Sequence, residues 1–176
     1  GTGSNGIAEG DTLSGIENIY GSDQNDVLTG DAEDNEIFGY DGNDVIMAGA
    51  GGDTIDGGDG NDTVSYANGT ERVRVYLNSN TTQFGDAEGD SITNVENITG
   101  TDYNDILQGR NSEANILDGG DGNDFFYTDT GSDQLIGGDG TDTVHYYYSN
   151  AGVTVDYSSG TAVGVGGYAD GDTLTG

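Results

Sequence analysis

The chain has 176 residues, of which 34 are Gly and none is Pro or Cys, and its 33 Asp and Glu residues face only three basic residues, giving a formal net charge of -30. A charge of this size repels nucleic acid phosphates and anionic membrane surfaces, so we expect no nucleic acid partner, no membrane insertion, and charge-driven binding only to cations or basic surfaces. Since only 31% of the residues are hydrophobic and no disulfide is possible, a bound metal is the remaining means of stabilising a folded state.

The first predicted element is a run of nonapeptides in the N-terminal part of the chain. An apolar residue recurs at every ninth position, at Ile19, Leu28, Ile37, Ile46, Ile55 and Val64. The residues two positions before them are Glu17, Asp26, Asn35, Asp44, Asp53 and Asp62. An unbroken step of nine predicts a repeat architecture in which each nonapeptide is one structural unit.

A second run with the same order of residue types follows. Its apolar positions are Ile98, Leu107, Leu117, Phe126, Leu135 and Val144. The residues two positions before them are Glu96, Asp105, Asn115, Asp124, Asp133 and Asp142. The one irregularity is an added residue in the segment that begins at Gly109, which lengthens a single step to ten.

The two runs belong to a longer repeat of about 80 residues, because their flanks also recur. Residues 8–26 return as 87–105, residues 62–77 return as 142–157, and 167–176 begin a third copy. We therefore predict a first superrepeat at 1–80, with a core at 12–65 and a linking strand region at 66–80. The second is predicted at 81–160, with a core at 91–145 and a linking strand region at 146–160, and a third begins at 161–176. Superrepeats this similar suggest a piece of one long tandem array.

The nonapeptide has the pattern GGxGxDxUx, where U is a large apolar residue. Its first six residues are rich in Gly and Asp, which predicts a tight turn, and the last three form a short strand with only the middle residue facing inward. Such strands are stable only when stacked, so the sequence predicts a parallel solenoid with two nonapeptides per coil and a rise of roughly 4.8 Å. Stacking brings Asp carboxylates together, and a hard dication such as calcium relieves their repulsion.

The best-formed units, at 39–47, 57–65, 119–127 and 137–145, resemble the RTX, or hemolysin-type, calcium-binding repeats of proteins secreted by Gram-negative bacteria. The resemblance covers nearly the whole chain. It implies an all-β fold, a right-handed parallel β-roll with several Ca²⁺ ions held between successive turns on the same edge. It also implies export in an unfolded state through a type I machine, and a secreted, extracellular or cell-surface location.

Carried over residue by residue, the resemblance implies that the sixth residue of each nonapeptide is a carboxylate ligand. These candidate metal ligands are Asp26, Asp44, Asp53, Asp62, Asp105, Asp124, Asp133 and Asp142. Backbone carbonyl ligands are expected from turn residues such as Gly39, Gly42, Gly57, Gly58, Gly60, Gly119, Gly120, Gly122, Gly137, Gly138 and Gly140.

Turns two nonapeptides apart share an edge, so we expect Asp44 to serve two sites, with Asp26 and with Asp62. In the second run Asp124 is expected to do the same with Asp105 and Asp142. The other edge has fewer short carboxylates, and there we expect weaker or absent calcium. Gln24, Glu33 and Tyr103 stand where Gly is usual, so the first turns of each run depart from the pattern.

Other features have a structural and a functional interpretation. Residues 73–77 and 153–157 alternate strictly and predict half-buried strands that link one roll to the next. The aromatic segments 125–127 and 146–148 are interpreted as caps of the core, with a sugar-stacking platform as the alternative. His145 is the only histidine, and we expect no catalytic role for it.

The sequence thus favours a noncatalytic extracellular module that folds and stiffens on binding calcium. Two roles of the parent protein stay open. One is a long adhesin, surface or filament-forming protein whose copies can also stack end to end. The other is an accessory domain of a secreted enzyme such as a protease, lipase or alginate epimerase, aiding secretion, folding or polysaccharide binding.

Overall fold

The computed structural model describes residues 14–155 and 161–176, with the backbone alone at 161–163. Apart from two single-turn 3-10 helices, Gly85–Ala87 and Gly167–Ala169, the regular structure in this part of the chain is β. In chain order the strands are β1 (Asn18–Tyr20), β2 (Val27–Thr29), β3 (Glu36–Asp41), β4 (Val45–Met47), β5 (Thr54–Asp59), β6 (Thr63–Ser65), β7 (Arg74–Tyr76), β8 (Thr81–Gln83), β9 (Ser91–Thr93), β10 (Asn97–Thr99), β11 (Ile106–Gln108), β12 (Ile116–Asp118), β13 (Phe125–Tyr127), β14 (Gln134–Ile136), β15 (Thr143–His145), β16 (Thr161–Val163) and β17 (Thr173–Thr175).

These strands stack into sheets that are almost entirely parallel. A long sheet has the order β16-β17-β14-β12-β10-β6-β4-β2, and two short sheets have the orders β1-β3-β5-β9 and β15-β13-β11-β7-β8. The pairs β7–β8 and β16–β17 are antiparallel, and every other pair among the described strands is parallel. The predicted all-β, parallel β-roll is confirmed.

The core is a pair of columns made by the middle residue of each strand. In the first short sheet Ile19 lies beside Ile37 and Ile37 beside Ile55, while Leu28 and Ile46 are neighbours in the long sheet. Most of these residues are fully buried, and the strand residues on either side of them are more exposed. A column this narrow needs one apolar residue per strand, which is why the low hydrophobic content suffices.

The two runs are joined by the long sheet. Strand β6, the last of the first run, pairs in parallel with β10, the first of the second run, so that Val64 lies beside Ile98. On the opposite side of the solenoid the two short sheets are separate. The sheet of the first run ends with β9, which pairs with β5, and the sheet of the second run contains β7, which pairs with β11. We call this junction the internal joint. Across it the strands of the second run change sides: β10, β12 and β14 occupy the long sheet, where β2, β4 and β6 lie in the first run.

The predicted linking strand at 73–77 is present as β7, with Val73, Val75 and Leu77 buried. Of its counterpart at 153–157, Thr154 forms a bridge with Val165, and residues 156 and 157 lie outside the described residues. No helix in the described part of the chain is long and apolar enough to cross a membrane. The proposed superrepeat boundaries stay a prediction.

Candidate metal sites

The turns bring the sixth residues of the nonapeptides together in two columns. One column, the long-sheet edge, precedes the strands of the long sheet and contains Asp26, Asp44, Asp62, Glu96, Asn115, Asp133 and Asp172. The other, the short-sheet edge, precedes the strands of the short sheets and contains Glu17, Asn35, Asp53 and Asp90, then Asp105, Asp124 and Asp142. The expected pairs therefore share an edge within each run.

Each column is held by a ladder of hydrogen bonds to one carboxylate oxygen. The amide of Asp26 donates to Asp44 Oδ1 at 2.8 Å, and the amide of Asp44 donates to Asp62 Oδ1 at 2.8 Å. In the second run the amide of Asp105 donates to Asp124 Oδ1 at 2.8 Å, and the amide of Asp124 donates to Asp142 Oδ1 at 3.0 Å. The Oδ1 atom of each of these acceptor carboxylates thus accepts a hydrogen bond from a backbone amide of the preceding coil.

The second oxygen is left without a protein partner in several turns. The Oδ2 atoms of Asp44, Asp53, Asp62 and Asp124 are buried and accept no hydrogen bond, and these residues are at most 2% exposed. A buried carboxylate oxygen without a partner is unfavourable, so these turns lack a positive group that would complete them. The arrangement fits a cation.

Backbone carbonyl oxygens lie close to the Oδ2 atoms of these aspartates. A Cβ placed on Gly21 would lie 2.7 Å from both Asp26 Oδ2 and the carbonyl oxygen of Gly39, and one on Gly39 would clash with Asp44 Oδ2 and the carbonyl of Gly57. Gly119 stands in the same relation to Asp124 Oδ2 and the carbonyl of Gly137. Only glycine leaves this space open, and the oxygens around it are the hard ligands that calcium prefers.

The remaining turn glycines allow successive coils to stack closely. A Cβ on Gly58 would clash with the carbonyl of Tyr40, and positions 60, 138 and 140 are blocked by carbonyls of the preceding coil. The predicted carbonyl ligands with a positive φ are Gly42, Gly58, Gly60, Gly120, Gly122, Gly138 and Gly140. Among the candidate carbonyl ligands, four lie beside a carboxylate of the preceding coil, namely those of Gly39, Gly57, Gly119 and Gly137.

The buried carboxyls resist ionisation in the absence of a cation. Burial raises the pKa of Asp62 to about 6 and that of Asp124 to about 7, and neighbouring carboxylates add to the effect. Burial also raises the pKa of Asp44, Asp53 and Asp105 above 3.8, and brings that of Asp133 to about 7. The described residues contain no cluster of three or more His, Cys, Asp or Glu side chains suited to a metal, so each candidate site combines few carboxylates with carbonyls.

The first turn of each run is different, as the departures from the pattern indicated. Asp26 Oδ2 accepts hydrogen bonds from the amide and hydroxyl of Ser22, at 2.5 and 3.0 Å. Asp105 Oδ2 accepts equivalent bonds from Thr101, at 2.5 and 3.1 Å. A hydroxyl residue at the second turn position thus satisfies the oxygen that is unpartnered in the glycine turns. The sequence analysis singled out Gln24 and Tyr103 and missed these two hydroxyls.

Asn35 and Asn115, which occupy the sixth position of their nonapeptides, form hydrogen bonds with nearby backbone groups. Asn35 Oδ1 accepts from the amide of Asp31 at 2.8 Å. Asn115 Oδ1 accepts from the amide of Arg110 at 2.8 Å, and Asn115 Nδ2 donates to the carbonyl of Glu96 at 2.7 Å. These neutral side chains bring no charge to a cation, and weaker calcium binding beside them stays a prediction.

Two aspartates that the sequence analysis did not select extend the columns. The amide of Asp53 donates to Asp90 Oδ1 at 3.0 Å, and the amide of Asp133 donates to Asp172 Oδ1 at 2.9 Å. Both stand two residues before an apolar strand residue, Ile92 and Leu174, so the spacing within the unit was visible although the nine-residue step was not. Asp90 Oδ2 accepts from the hydroxyl of Tyr66 at 2.7 Å, so a tyrosine completes this turn.

The aromatic residues divide between core and surface. Phe126 is in the core and Tyr146 lines a cavity at the C-terminal end of the solenoid. The His145 ring lies 5.3 Å from Phe125, 5.4 Å from Tyr127 and 5.5 Å from Tyr147 between ring centroids, on the outer side of the short sheet. Its ring neighbours are aromatic, which suits packing or ring stacking with a ligand.

One family model agrees with this geometry. A family model described as RTX calcium-binding nonapeptide repeat (4 copies) matches residues 11–46, 38–70, 94–113 and 111–144. No curated protein matches the chain. Among solved structures, the chain is similar to the extracellular lipase LipA from Serratia marcescens, with 22% identity and a TM-score of 0.33 over 95% of this chain and 38% of the lipase chain. The chain thus spans well under half of that lipase.

Proposed function

Since the chain belongs to the RTX calcium-binding nonapeptide repeat family, we propose that it is an extracellular structural module that folds and stiffens on binding several calcium ions. The observation that carries the proposal is the repeated buried Oδ2 atom without a partner, beside a backbone carbonyl of the next coil. Calcium supplies the positive charge that these oxygens lack. We propose Asp44, Asp62 and Asp124 as the principal carboxylate ligands.

The ligand residues couple binding to folding. Asp44 Oδ2 and the carbonyl of Gly57 belong to different coils, and they come together only when β4 has stacked on β6. Binding free energy is therefore folding free energy, and a chain of net charge -30 is expected to be largely disordered without calcium. Low intracellular calcium would keep the chain unfolded for type I secretion, and extracellular calcium would start folding.

Circular dichroism against calcium concentration tests the proposal, with magnesium as the control ion. We expect a disordered spectrum in chelator, a cooperative gain of β signal with calcium, and little response to magnesium, which requires near-ideal octahedral geometry. A chain that is already folded in chelator, or that responds equally to both ions, would show that the proposal is wrong.

For the role in the parent protein, we propose a rod in an adhesin, surface or filament-forming protein. The long sheet passes without interruption from the first run into the second, so successive superrepeats extend one solenoid. The full-length sequence tests this role: many further superrepeats are expected. A catalytic domain joined to a short repeat region would instead identify an accessory module of a secreted enzyme, with the aromatic surface around His145 as a place where polysaccharide could stack.

A further inference from the structure

The outer surface of the second run's short sheet carries a group of aromatic rings. Tyr127 lies 5.7 Å from Tyr76, 5.0 Å from Phe125 and 5.4 Å from His145 between ring centroids. Tyr147 stacks on His145 at 5.5 Å. We call these five residues the aromatic face. Four of them project outward from β7, β13 and β15, and because a further coil would add to a strand edge, this face stays open however far the solenoid continues.

The rings follow the side of the solenoid and not the superrepeat. The superrepeat counterparts of Phe125 and Tyr127 are Val45 and Met47, which lie in the long sheet. The first run has outward rings on its own short sheet, in β1 and β3, whose counterparts in the long sheet are not aromatic. Since the two runs change sides at the internal joint, a repeated pattern would place rings on both sides. Their restriction to one side indicates that this side contacts a partner.

Two arginines lie at the end of the aromatic face that adjoins β8. Arg74 projects outward on β7, two residues from Tyr76, and its Nη1 donates to Gln83 Oε1 at 2.8 Å. The guanidinium carbons of Arg72 and Arg74 lie 4.5 and 5.2 Å from the centroid of the Phe84 ring. In the described part of the chain neither arginine forms an ion pair, although the sequence contains 33 acidic residues. Both guanidinium groups are therefore available to an anion from outside.

Phe84 supports these guanidinium groups from an unusual backbone conformation. Its φ is +69, and the residue that likewise precedes the second 3-10 helix is Gly166, with φ +86. The two arginines have no basic counterparts either, because Gly152 and Thr154 stand in their places in the second superrepeat. A ring in the left-handed region is unfavourable, so its presence points to a role that the repeat itself does not need.

From this arrangement we infer that the aromatic face and the two arginines form one binding surface for a linear acidic polysaccharide, with sugar rings on the aromatic residues and carboxylates on Arg72 and Arg74. One face of a sugar ring presents C–H groups that pack on an aromatic ring, and a planar guanidinium binds a carboxylate through two hydrogen bonds. Gln108 and Thr143, also outward on this sheet, offer amide and hydroxyl groups to sugar hydroxyls. The five strands span roughly 19 Å, which accommodates several sugar units.

Charge favours an acidic glycan at this sheet. Its strands have no Asp or Glu at an outward position, so the acidic residues of this run are left to its turns and to the other sheet. On the short sheet of the first run, by contrast, Glu36 and Asp56 lie beside the ring of Phe38. An anionic polymer is therefore attracted to the second-run surface and repelled by the first. The inference rests on the proposed calcium-dependent fold, because stacking of the strands brings the rings together.

Calorimetric titration of the chain in calcium tests the inference, with circular dichroism on the same samples. The probes are short oligomers of galacturonate, mannuronate and glucuronate, the methyl ester of the galacturonate oligomer, and polyglutamate. We expect at least one acidic oligomer to bind, and the neutral ester and polyglutamate to bind on the order of tenfold more weakly.

Two substitutions test the two parts of the surface. Arg72→Gln removes charged hydrogen bonds and Tyr127→Met removes a stacking ring, so each should weaken binding of the acidic oligomer about three- to tenfold. Both should fold normally, because Arg72 is exposed and Met47 is the superrepeat counterpart of Tyr127.

Gln134→Glu and Tyr103→Gln are the matched controls. Gln134→Glu changes the net charge by the same amount as Arg72→Gln, but on the exposed surface of the long sheet. Tyr103 is 47% exposed in a turn, and its superrepeat counterpart is Gln24. Both variants should bind the acidic oligomer like the unmodified chain.

Four results would overturn the inference. They are a chain that folds in calcium but binds none of the acidic oligomers, equal binding of the methyl ester, equal binding of polyglutamate, which indicates an acidic polypeptide partner, and binding unchanged by Arg72→Gln and Tyr127→Met, which indicates calcium bridging at the acidic edges. A chain that does not fold in calcium is a separate result, because it contradicts the proposed function itself.

Discussion

The backbone amide of Asp62 donates a hydrogen bond to Glu96 Oε2 at 2.9 Å, so the best-formed column of the first run continues into the weakest turns of the second. Asp26, Asp44 and Asp62 lie on the long-sheet edge, whereas Asp105, Asp124 and Asp142 lie on the short-sheet edge. The acid-rich edge therefore changes sides at the internal joint. In a longer array of such units, the proposed calcium sites would alternate between the two sides of the rod.

Asp44→Asn and Asp124→Asn are expected to lower calcium affinity more than about tenfold at the affected sites, because each removes a charge from a carboxylate shared by two turns. Asparagine already occupies this position at Asn35 and Asn115, so the fold can accommodate it. Calorimetric titration measures the effect. Asp41→Asn and Asp121→Asn remove the same charge from exposed positions in the same turns and should change affinity little.

The two edges make a second comparison possible. Asp44→Ala and Asp124→Ala should each lower calcium affinity more than Asn35→Ala or Asn115→Ala, since the asparagine side chains are occupied by local hydrogen bonds. Equal losses in calorimetric titrations would contradict the assignment of the principal sites to the aspartate turns.

Calcium affinity should fall with pH below about 7. Burial raises the pKa of Asp124 to about 7 and that of Asp62 to about 6, from 3.8, so protons compete with the cation in this range. In the calcium-free roll the sign is opposite: these raised pKa values favour the folded state at low pH, and that contribution is lost as pH rises from about 4 to about 7. Calcium titrations followed by circular dichroism between pH 5 and 8 check this, and a midpoint independent of pH would contradict it.

Tyr66→Phe should destabilise the calcium-bound chain by about 1–3 kcal/mol, because it leaves Asp90 Oδ2 buried without its 2.7 Å hydrogen bond. Chemical denaturation at saturating calcium measures the loss. Tyr147→Phe, at a position that is 74% exposed, is the control and should change stability by less than about 0.5 kcal/mol. Similar losses in both variants would show that the hydroxyl of Tyr66 has no special role.

Gly39→Ala should abolish calcium binding in its turn and lower the melting temperature in calcium. Its Cβ would occupy the space between Asp44 Oδ2 and the carbonyl of Gly57. Gly152→Ala is the matched control, since a Cβ there meets nothing within 4 Å and neither glycine has a φ in the left-handed region. A normal calcium stoichiometry in Gly39→Ala would contradict the location of the site.

Much of this protein follows from local spacing. The nine-residue step determined which residues form strands, that Ile37, Ile46 and Ile55 point inward, and that Asp44 lies beside Asp26 and Asp62. These features repeat with the backbone geometry of one turn and one short strand, so a single unit specifies them. The step also located the glycines whose missing side chains leave space beside the carboxylates.

The tertiary structure decided what happens between the runs. Whether β10 joins the long or the short sheet depends on how residues 66–96 fold back, which is a matter of long-range packing around Val75, Ile92 and Tyr66. The nine-residue step is interrupted there, so it carries no information about the side on which stacking resumes. The pairing of Tyr66 with Asp90, 24 residues apart, is likewise set by that packing, because only burial brings the hydroxyl to the carboxylate.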